Sequence, residues 1–426
     1  MWAMQTIALL TSIDLMRSDH SESIKMASLC PISNFLSDPF PAAAEEIACN
    51  QDLITLILIR LPVKSLLRFK CVSKNWLYLI SKPQFSTRHR SLASAGIILC
   101  QSSGLIGHLS HHCRNSEQPF KSLNFIGDSA GVKVLQSING LVLCCSYHKQ
   151  GKRRSFYVCN PSTRQFLMLP PPNADGCDSC TTIFGVNLAF NPSKSPHYQV
   201  VCVQNCSSSS TASGNYQIEI YSSETGTWRL SVSPFVASSD MVFENGVLWN
   251  GTIHWISPKG ATLCFDIDRE RLRSMPSPPS HERWDKRRFR YFGESGGHLH
   301  LVEIYGPSTT QFQVFEMETD YSRWIPKYDI DIAAVVDELP GMVMEYPELH
   351  EYGSRFYAFV LLFIQEIEGG PFLLLHIPGK FISYNIRDRT FKEICGFGPK
   401  STETNTSALQ IGCFHAHQFV ETLACV

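Results

Sequence analysis

A turn motif that recurs between residues 131 and 400 constrains the fold of this chain more than any other feature. Each copy follows a β-prone run, starts with Asn, Ser or Asp, and reaches a large apolar residue six positions later. The copies are NPSTRQF (Asn160 to Phe166), SSETGTW (Ser222 to Trp228), DIDRERL (Asp266 to Leu272), NIRDRTF (Asn385 to Phe391) and, with two extra residues, EMETDYSRW ending at Trp324. A strand, a polar turn and an apolar residue that returns to the core make a β-hairpin.

The spacing of these hairpins points to a particular all-β architecture. The copies recur at intervals of about 45 to 65 residues, which is the size of one blade of a β-propeller. Asn-Gly pairs at Asn139-Gly140, Asn245-Gly246 and Asn250-Gly251 predict further tight turns between these copies. The sequence therefore predicts a β-propeller-like domain, with an irregular pair of β-sandwiches as the alternative.

Charge and cysteine content narrow the classes of function. The chain has 426 residues, with 37 Lys and Arg against 38 Asp and Glu, so its net charge of −1 does not favour bulk electrostatic binding to nucleic acid. Several of its 16 cysteines, such as Cys144, Cys145 and Cys202, lie inside apolar runs. Buried free thiols are typical of a reducing compartment, so we expect the protein in the cytoplasm, the nucleus or both.

The pattern along the chain divides it into five regions. We expect a flexible extension over 1–44, a helical unit over 45–85, a mixed connector over 86–130, the β-propeller-like domain over 131–400 and a tail over 401–426. The predicted fold class is therefore α+β and multidomain: a small three-helix unit followed by an all-β domain.

The helical unit has one apolar stripe on each predicted helix. Leu53, Ile54, Ile57, Leu58 and Leu61 recur at spacings of three and four, and Pro62 ends the first helix and suits the start of the second. The second helix holds Leu66, Leu67 and Phe69, with Cys71 and Val72 at its end. Ser73 is a suitable N-cap for a third helix that holds Trp76 and ends before Pro83.

Such a unit is too small to bury its own apolar surface. Three short helices in about 35 residues do not build a self-sufficient core, so we expect a partner to cover the remaining apolar face. Six basic residues and one acid, Asp52, lie between Asp52 and Phe85. This local basic character predicts a partner with an acidic surface.

At these residues the sequence resembles the plant-type F-box motif. The resemblance rests on RLPVKSLLRFKCVSKNW and the residues around it, namely Leu53, Ile57, Leu58, Leu61, Pro62, Leu66, Leu67, Cys71, Val72 and Trp76. Two positions depart from the family pattern: Cys49-Asn50 stands near the usual Leu-Pro or Ile-Pro pair, and Leu56 stands where an acidic residue is frequent.

The remainder resembles the F-box-associated domain, which is often described as kelch-like, in segments such as NPSTRQFLMLPPP and GVLWNGTIHWIS. The two resemblances imply a substrate receptor of an SCF-type ubiquitin ligase. In such a receptor the F-box binds a Skp-family adaptor, and through it a cullin scaffold, while the β domain recruits a target protein. They also imply that the ten residues named above contact the adaptor, with Trp76 and the leucines as anchors, and that the chain is not an enzyme and needs no cofactor.

Other chemistry has weak support in the sequence. None of the phosphate-loop, dinucleotide or H-E-x-x-H signatures occurs. Cysteines Cys177, Cys180, Cys202 and Cys206 approach zinc spacing, and His108, His111, His112 and Cys113 form a second cluster, but we expect no metal at either. The run ERWDKRRFR (Glu282 to Arg290) is interpreted as a charged inter-strand loop rather than a site for an acidic ligand, and Trp249 and Trp255 as core aromatics of adjacent strands.

Two alternative functions remain open from the residues themselves. One is a propeller enzyme that acts on a small molecule, although the sequence shows no clustered set of acids and bases. The other concerns the helical unit. The basic three-helix unit could act as a helix-turn-helix that binds nucleic acid. Its leucine-rich face and its lack of clustered Asn, Gln or Arg at the start of a recognition helix do not favour this hypothesis.

Overall fold

A computed structural model of the 426-residue chain describes residues 50–92, 95–100, 106–110, 120, 122–147, 154–172, 182–205, 215–279, 287–306, 308–345, 355–367, 370–396 and 416–426. The chain forms two compact units. The first comprises residues 1–93 and Glu421–Leu423, and the second comprises residues 94–420 and 424–426. The expected extension over 1–44 lies outside the described residues. No helix in the described ranges is long and apolar enough to cross a membrane.

The first unit is helical. Its helices are α1 (Gln51–Leu58), α2 (Val63–Phe69), α3 (Lys74–Ile80) and α4 (Pro83–Leu92). The first three agree with the sequence pattern. We did not predict α4, because Pro83 was interpreted only as a stop signal, whereas proline is equally suited to the first turn of a new helix.

The second unit is built from antiparallel four-stranded sheets that follow one another along the chain. The first blade consists of β3 (Val132–Ile138), β4 (Leu141–Ser146), β5 (Phe156–Asn160) and β6 (Gln165–Met168), and the second of β7 (Ile183–Ala189), β8 (Gln199–Asn205), β9 (Asn215–Ser222) and β10 (Thr227–Leu230). The third consists of β12 (Val247–Trp249), β13 (Thr252–Ile256), β14 (Thr262–Asp266) and β15 (Arg271–Arg273), and the fourth of β16 (Arg287–Ser295), β17 (His298–Tyr305), β18 (Gln311–Met317) and β19 (Trp324–Asp331). The fifth consists of β22 (Val360–Ile367), β23 (Gly370–Ile377), β24 (Lys380–Asn385) and β25 (Thr390–Gly396). The short strand β11 (Phe235–Val236) also pairs with β9 in the second blade. The predicted propeller architecture is confirmed, and the blade number, which the sequence left open, is five.

Four smaller elements and one further sheet complete the described part of this unit. Helix α5 (Ala333–Glu338), a 3-10 turn (Pro340–Met342) and the hairpin of β20 (Val343–Glu345) with β21 (Arg355–Tyr357) lie between the fourth and fifth blades, and a 3-10 turn (Asn124–Ile126) precedes the first. A three-stranded sheet joins β1 (Ala95–Cys100) to β2 (Ile106–Ser110) on one side and to β26 (Ala416–Val420) on the other. The segments that we expected to be a connector and a tail therefore contribute strands.

The recurring sequence motif is the turn between the third and fourth strands of all five blades. In four of them the turn has four residues, 161–164, 223–226, 267–270 and 386–389, and its last residue has a positive φ: Arg164, Gly226, Glu270 and Arg389. The polar residue that opens the motif accepts a hydrogen bond from a backbone N–H inside the turn. Asn160 Oδ1, for example, is 3.0 Å from Ser162 N, and Asn385 Oδ1 is 2.9 Å from Arg387 N. The motif is therefore a local hydrogen-bonding unit.

The Asn-Gly turns between first and second strands are confirmed at two positions. Asn139-Gly140 and Asn250-Gly251 each have positive φ at both residues, as a two-residue hairpin turn requires. Asn245-Gly246 instead lies just before β12, outside any two-residue hairpin.

Apolar clusters fill the spaces between neighbouring sheets. One joins the first and second blades, the next joins the second and third, and others join the third to the fourth and the fourth to the fifth. Trp255 is fully buried in the second of these clusters, and Trp249, on the adjacent strand, is buried in the next one. The prediction that both are core aromatics of adjacent strands is confirmed.

The sheet of β1, β2 and β26 packs against both the first and the fifth blade. On one face of β1, Ile97 and Leu99 join the apolar cluster of the fifth blade, and on the other face Ile98 joins the cluster of the first blade together with Phe419 from β26. Strands from the two ends of this unit thus form one sheet between its first and last blades.

Candidate functional site

The helices of the first unit are short and are stabilised at their N-termini by side chains. The Asn50 side chain accepts hydrogen bonds from the backbone N–H groups of Asp52 (3.0 Å) and Leu53 (3.2 Å), which caps α1. Ser73 Oγ accepts from the Trp76 N–H at 3.1 Å and caps α3, as the sequence predicts. Each cap satisfies backbone donors that would otherwise lack a partner in the helix.

One side of each helix builds a common apolar core. Trp76 belongs to this core, and the centre of its ring lies 5.0 Å from the centre of the Phe69 ring in an edge-on arrangement. The core also contains Ile54, Leu58, Ile59, Val63, Leu66, Leu79, Ile80, Phe85 and, from near the C-terminus, Leu423. The spacing of Ile54 and Leu58 by four residues places both on the inner side of α1.

The turn between α1 and α2 is fixed by a buried histidine. His89, on α4, has its Nε2 atom 2.8 Å from the carbonyl oxygen of Leu61. Because a carbonyl only accepts, Nε2 carries the proton and donates it. Burial lowers the pKa of His89, with the bond to Leu61 opposing that shift, so the imidazole is held as the neutral form.

The opposite side of the same helices exposes large apolar side chains. Leu53 and Leu56 on α1 are each 40% exposed, and Leu77 and Tyr78 on α3 are 46% and 60% exposed. Val72, just after α2, is 39% exposed. In α1 the exposed leucines are three residues apart, and in α3 Leu77 and Tyr78 follow the exposed Lys74 by three and four residues, so each helix presents a stripe to solvent.

Basic side chains border these apolar stripes. Arg60 is exposed and donates from Nη1 to the Leu56 carbonyl oxygen at 2.8 Å, and the Lys82 Nζ atom lies 4.4 Å from the centre of the Tyr78 ring. Lys64, Arg68 and Lys74 are also exposed. The outer side of this unit is therefore apolar and locally basic, which is the surface chemistry of a protein-binding site.

The comparisons with known proteins agree with this geometry. The family model described as "F-box domain" matches residues 50–88, and the model described as "F-box protein At3g26010-like, beta-propeller" matches residues 96–348, more than half of the chain. The chain belongs to the F-box proteins that carry a β-propeller. It is similar to the F-box protein At5g07610 of Arabidopsis thaliana, with 33% identity over 392 residues that cover 84% of this chain and 87% of that protein. The F-box protein At5g49610 of the same organism is 29% identical over 306 residues, which cover 68% of this chain and 81% of that protein.

The family membership carries a coarse function with it. Proteins that combine an F-box with a propeller are typically non-catalytic adaptors for substrates, and neither of the two family models that match describes a catalytic family. The nucleic-acid hypothesis for the basic helical unit is not favoured by these matches.

The ten residues predicted to contact the adaptor separate by burial in the F-box. Leu58, Leu66 and Trp76 are almost fully buried in its core, so their side chains offer little surface to another protein. The half-buried residues are Ile57, Leu61 and Leu67, and the exposed ones are Leu53, Pro62, Cys71 and Val72. Contact of any of the ten with an adaptor stays a prediction.

Three exposed residues lie on the same helices but outside the predicted set. They are Leu56, Leu77 and Tyr78. The predicted set does not include them because the F-box motif consists of residues shared by members of the family, many of which are buried in the core. A test of helical phase was available: Leu77 and Tyr78 are one and two residues beyond Trp76, so they point away from a core that contains Trp76.

The metal candidates give no site among the described residues. Cys202 is fully buried in β8, and burial raises the pKa of its thiol well above the usual range. Its proposed partners Cys177, Cys180 and Cys206 lie outside the described residues, as do His111, His112 and Cys113, and the side chain of His108 is not described either. In the ranges that the structure describes, no group of three or more potential ligands could hold a metal ion.

The basic run Glu282 to Arg290 differs from our interpretation. Residues 282–286 lie outside the described ranges, but Arg287–Ser295 form β16 rather than a loop. Arg287 Nη1 is 3.1 Å from Glu303 Oε1, and an Arg290 nitrogen is 2.6 Å from the same oxygen. Both guanidinium groups also donate to backbone carbonyls at Pro258 and Ser257. The strand tolerates these arginines because the nearly buried Glu303 carboxylate balances part of their charge and the backbone carbonyls accept further hydrogen bonds.

The two edges of the propeller differ in the length of their connections. In a four-stranded antiparallel blade, the turns between strands one and two and between strands three and four leave the same edge. Most of these have two or four residues, such as 139–140, 161–164, 250–251 and 386–389. The opposite edge carries the blade-to-blade segments, which are longer: 169–182, 274–286 and 332–359.

Proposed function

We propose that this F-box protein is the substrate-recognition subunit of an SCF-type ubiquitin ligase. Its F-box binds a Skp-family adaptor, and through that adaptor a cullin scaffold, and its propeller binds the protein to be ubiquitinated. It acts as a non-catalytic receptor without cofactor, in the cytoplasm, the nucleus or both. The single observation that carries the proposal is the set of five large apolar side chains exposed on a folded, capped unit of about 40 residues.

Burial of this set accounts for the expected affinity. Removing apolar surface from water contributes about 25 cal/mol per Å², and a few well-packed anchors carry most of the binding energy of an interface. Leu56 and Leu77 are the best candidates for such anchors because their side chains are exposed while their helices are fixed by the core. The basic residues around them raise the rate of association with an acidic partner more than they raise affinity.

For target capture we propose the edge of the propeller with the long blade-to-blade connections. Long connections on a rigid scaffold supply the varied surface that specific recognition needs, whereas two-residue turns supply little. The described residues of these connections include 169–172 and 274–279.

The adaptor contact can be tested with single charge substitutions. Leu56→Glu and Leu77→Glu should each weaken binding to a purified Skp-family adaptor by at least about 30-fold, the effect of losing an anchor worth about 2 kcal/mol. Isothermal titration calorimetry gives the affinity, and circular dichroism verifies that the helices remain folded.

Leu230→Glu is the matched control. Leu230 is a leucine of similar exposure, 48%, but it lies on β10 of the propeller. Adaptor affinity should not change in this variant. Equal affinity for the wild type, Leu56→Glu and Leu77→Glu would rule out this surface as the adaptor site, and salt-sensitive binding to duplex DNA without adaptor binding would favour the nucleic-acid hypothesis.

A further inference from the structure

The F-box unit includes a segment that is remote from it in sequence. Residues Glu421–Leu423 belong to the helical unit, whereas Val420 before them and Ala424 after them belong to the propeller unit. Leu423 is 8% exposed and lies in the same apolar cluster as Leu58, Leu66 and Trp76. Thr422 is also buried, at 2% exposure. A segment in which two of three residues, Thr422 and Leu423, are buried to this degree is part of the core rather than a loose end.

Glu421 supplies a hydrogen bond that the helices themselves lack. The residue before α2 is Pro62, whose side chain cannot cap the helix, and no side-chain cap is made there. Glu421 itself belongs to the helical unit, and its carboxylate interacts with the backbone N–H of Val63, the first residue of α2, which opposes the rise in the Glu421 pKa that burial causes. One of the donors left open at the start of every helix is thus satisfied by a residue more than three hundred positions away.

The same turn is held from its other side by His89. The Leu61 carbonyl accepts from His89, and the Val63 N–H donates to Glu421, so both backbone groups that flank Pro62 have side-chain partners outside the F-box motif. This turn sets the direction of α2 relative to α1, and with it the relative position of the exposed residues Leu53, Leu56 and Val72. Small errors in such positions reduce the affinity of an interface because its anchors must fit together.

We propose that Glu421–Leu423 are a functional part of the adaptor-binding unit, in which Leu423 completes the core and Glu421 positions the turn at Pro62. Adaptor affinity then depends on a segment near the C-terminus that no F-box motif includes. The adaptor part of this inference rests on the proposed function, while the part that concerns the folding of the helical unit does not.

The experiment uses the full chain with two readouts. Hydrogen–deuterium exchange of peptides from residues 51–80 reports the folding of the helical unit, and calorimetry with a purified Skp-family adaptor reports function. Leu423→Asp should raise exchange in these peptides by at least about 10-fold and weaken adaptor binding by a similar factor, since a buried charge without a partner is costly. Leu423→Ala should do both to a smaller degree, because it leaves a cavity and adds no charge.

Glu421 is tested by a graded pair. Glu421→Ala should raise exchange at the Val63 amide and weaken adaptor binding, whereas Glu421→Gln, which keeps an acceptor of the same shape, should restore both. Cys425→Ser is the matched control, since Cys425 is exposed and lies only two residues after Leu423. Peptides from β8 and β9 should exchange at the wild-type rate in every variant.

The outcomes separate the two proposals. If exchange over residues 51–80 is unchanged in Leu423→Asp, the inference about the C-terminal segment is wrong, whether or not the adaptor binds. Raised exchange with unchanged adaptor affinity would also overturn its functional part. If exchange rises as expected but the wild-type protein does not bind the adaptor, the proposed function fails and the structural part of the inference stands.

Discussion

The two units of this protein treat their apolar residues in opposite ways. Twelve large apolar side chains in the described part of the chain are exposed, and five of them lie between Leu53 and Tyr78. The other seven are distributed over the much longer propeller unit, where whole strands such as β4 and β5 are buried. Exposed apolar surface is thus concentrated in the helical unit. A unit this small has little stability to spare, so selection for stability alone would favour burying these side chains.

The difference follows from how each unit builds a core. In the propeller every sheet lies between two others, so both of its faces are covered by apolar clusters shared with its neighbours. The helical unit has one small core, and none of its described residues forms a second layer over the outer side. Repetition makes burial nearly complete, whereas a small single core leaves surface that a partner can cover.

The largest effect that distinguishes the units comes from truncating a buried tryptophan in each. Trp76→Ala and Trp255→Ala should each cost about 3–5 kcal/mol. Because a unit as small as the F-box has about that much stability in total, Trp76→Ala should unfold it, while the propeller with Trp255→Ala should remain folded at a lower melting temperature. Hydrogen exchange resolved by peptide gives both results. Wild-type protection of residues 51–80 in Trp76→Ala would contradict the comparison.

Acid provides the next largest test. His254 in the third blade is fully buried, with Nδ1 3.1 Å from the Val247 carbonyl oxygen and Nε2 2.9 Å from the Tyr321 hydroxyl, and burial lowers its pKa to about 4. The folded protein therefore binds fewer protons than the unfolded chain below pH 6.5. The stability that the neutral imidazole contributes is complete above pH 6.5, and on the order of 3 kcal/mol is lost as the pH falls to 4.

Comparison with variants isolates this effect from other titrating groups. Denaturant unfolding between pH 7 and pH 4 should show a weaker pH dependence for His254→Gln than for the wild type. His89 should act with the same sign in the helical unit, because burial lowers its pKa as well. An identical pH dependence for His254→Gln and the wild type would show that this imidazole is not held neutral.

The smallest effect concerns the recurring turns, which only the propeller has. Gly226 has φ of +72° with nothing within 4 Å of an added Cβ, so Gly226→Ala should cost about 1 kcal/mol through backbone conformation alone. Arg389 occupies the same place in the fifth blade with φ of 53°, so Arg389→Gly should stabilise by up to about 1 kcal/mol. Thermal unfolding measures both, and shifts in the same direction would contradict this account of the turns.

What the sequence predicted well is local. The five turn motifs contain their own hydrogen-bond acceptors, such as Asn160 and Asn385, so a few neighbouring residues determine the structure. The helices α1 to α3 likewise have their apolar spacing and caps within the segment. The propeller and the three helices of the F-box could therefore be predicted before any coordinates.

What the sequence missed depends on contacts between distant residues. The Gln136 and Asn187 side chains form a buried hydrogen bond of 3.2 Å between the first two blades, and no local pattern marks them as partners. Strand β26 and the segment Glu421–Leu423 were assigned to a tail because their partners, β1 and the F-box helices, lie at the other end of the sequence. In the candidate site, the motif identified the helices, but it did not separate core residues such as Trp76 from exposed ones such as Leu77.

The sheet that joins β1 to β26 has a consequence for how the protein is made. During synthesis β1 leaves the ribosome before the blades. Strand β26, which pairs with the edge of β1 opposite β2, is translated only after all five blades. Until then the nascent chain carries an unpaired strand edge and an unfilled gap beside the first blade, and such edges invite association with other chains. Nonsense or frameshift alleles that stop before Ala416 should therefore give a product that accumulates poorly, even when every blade is encoded in full.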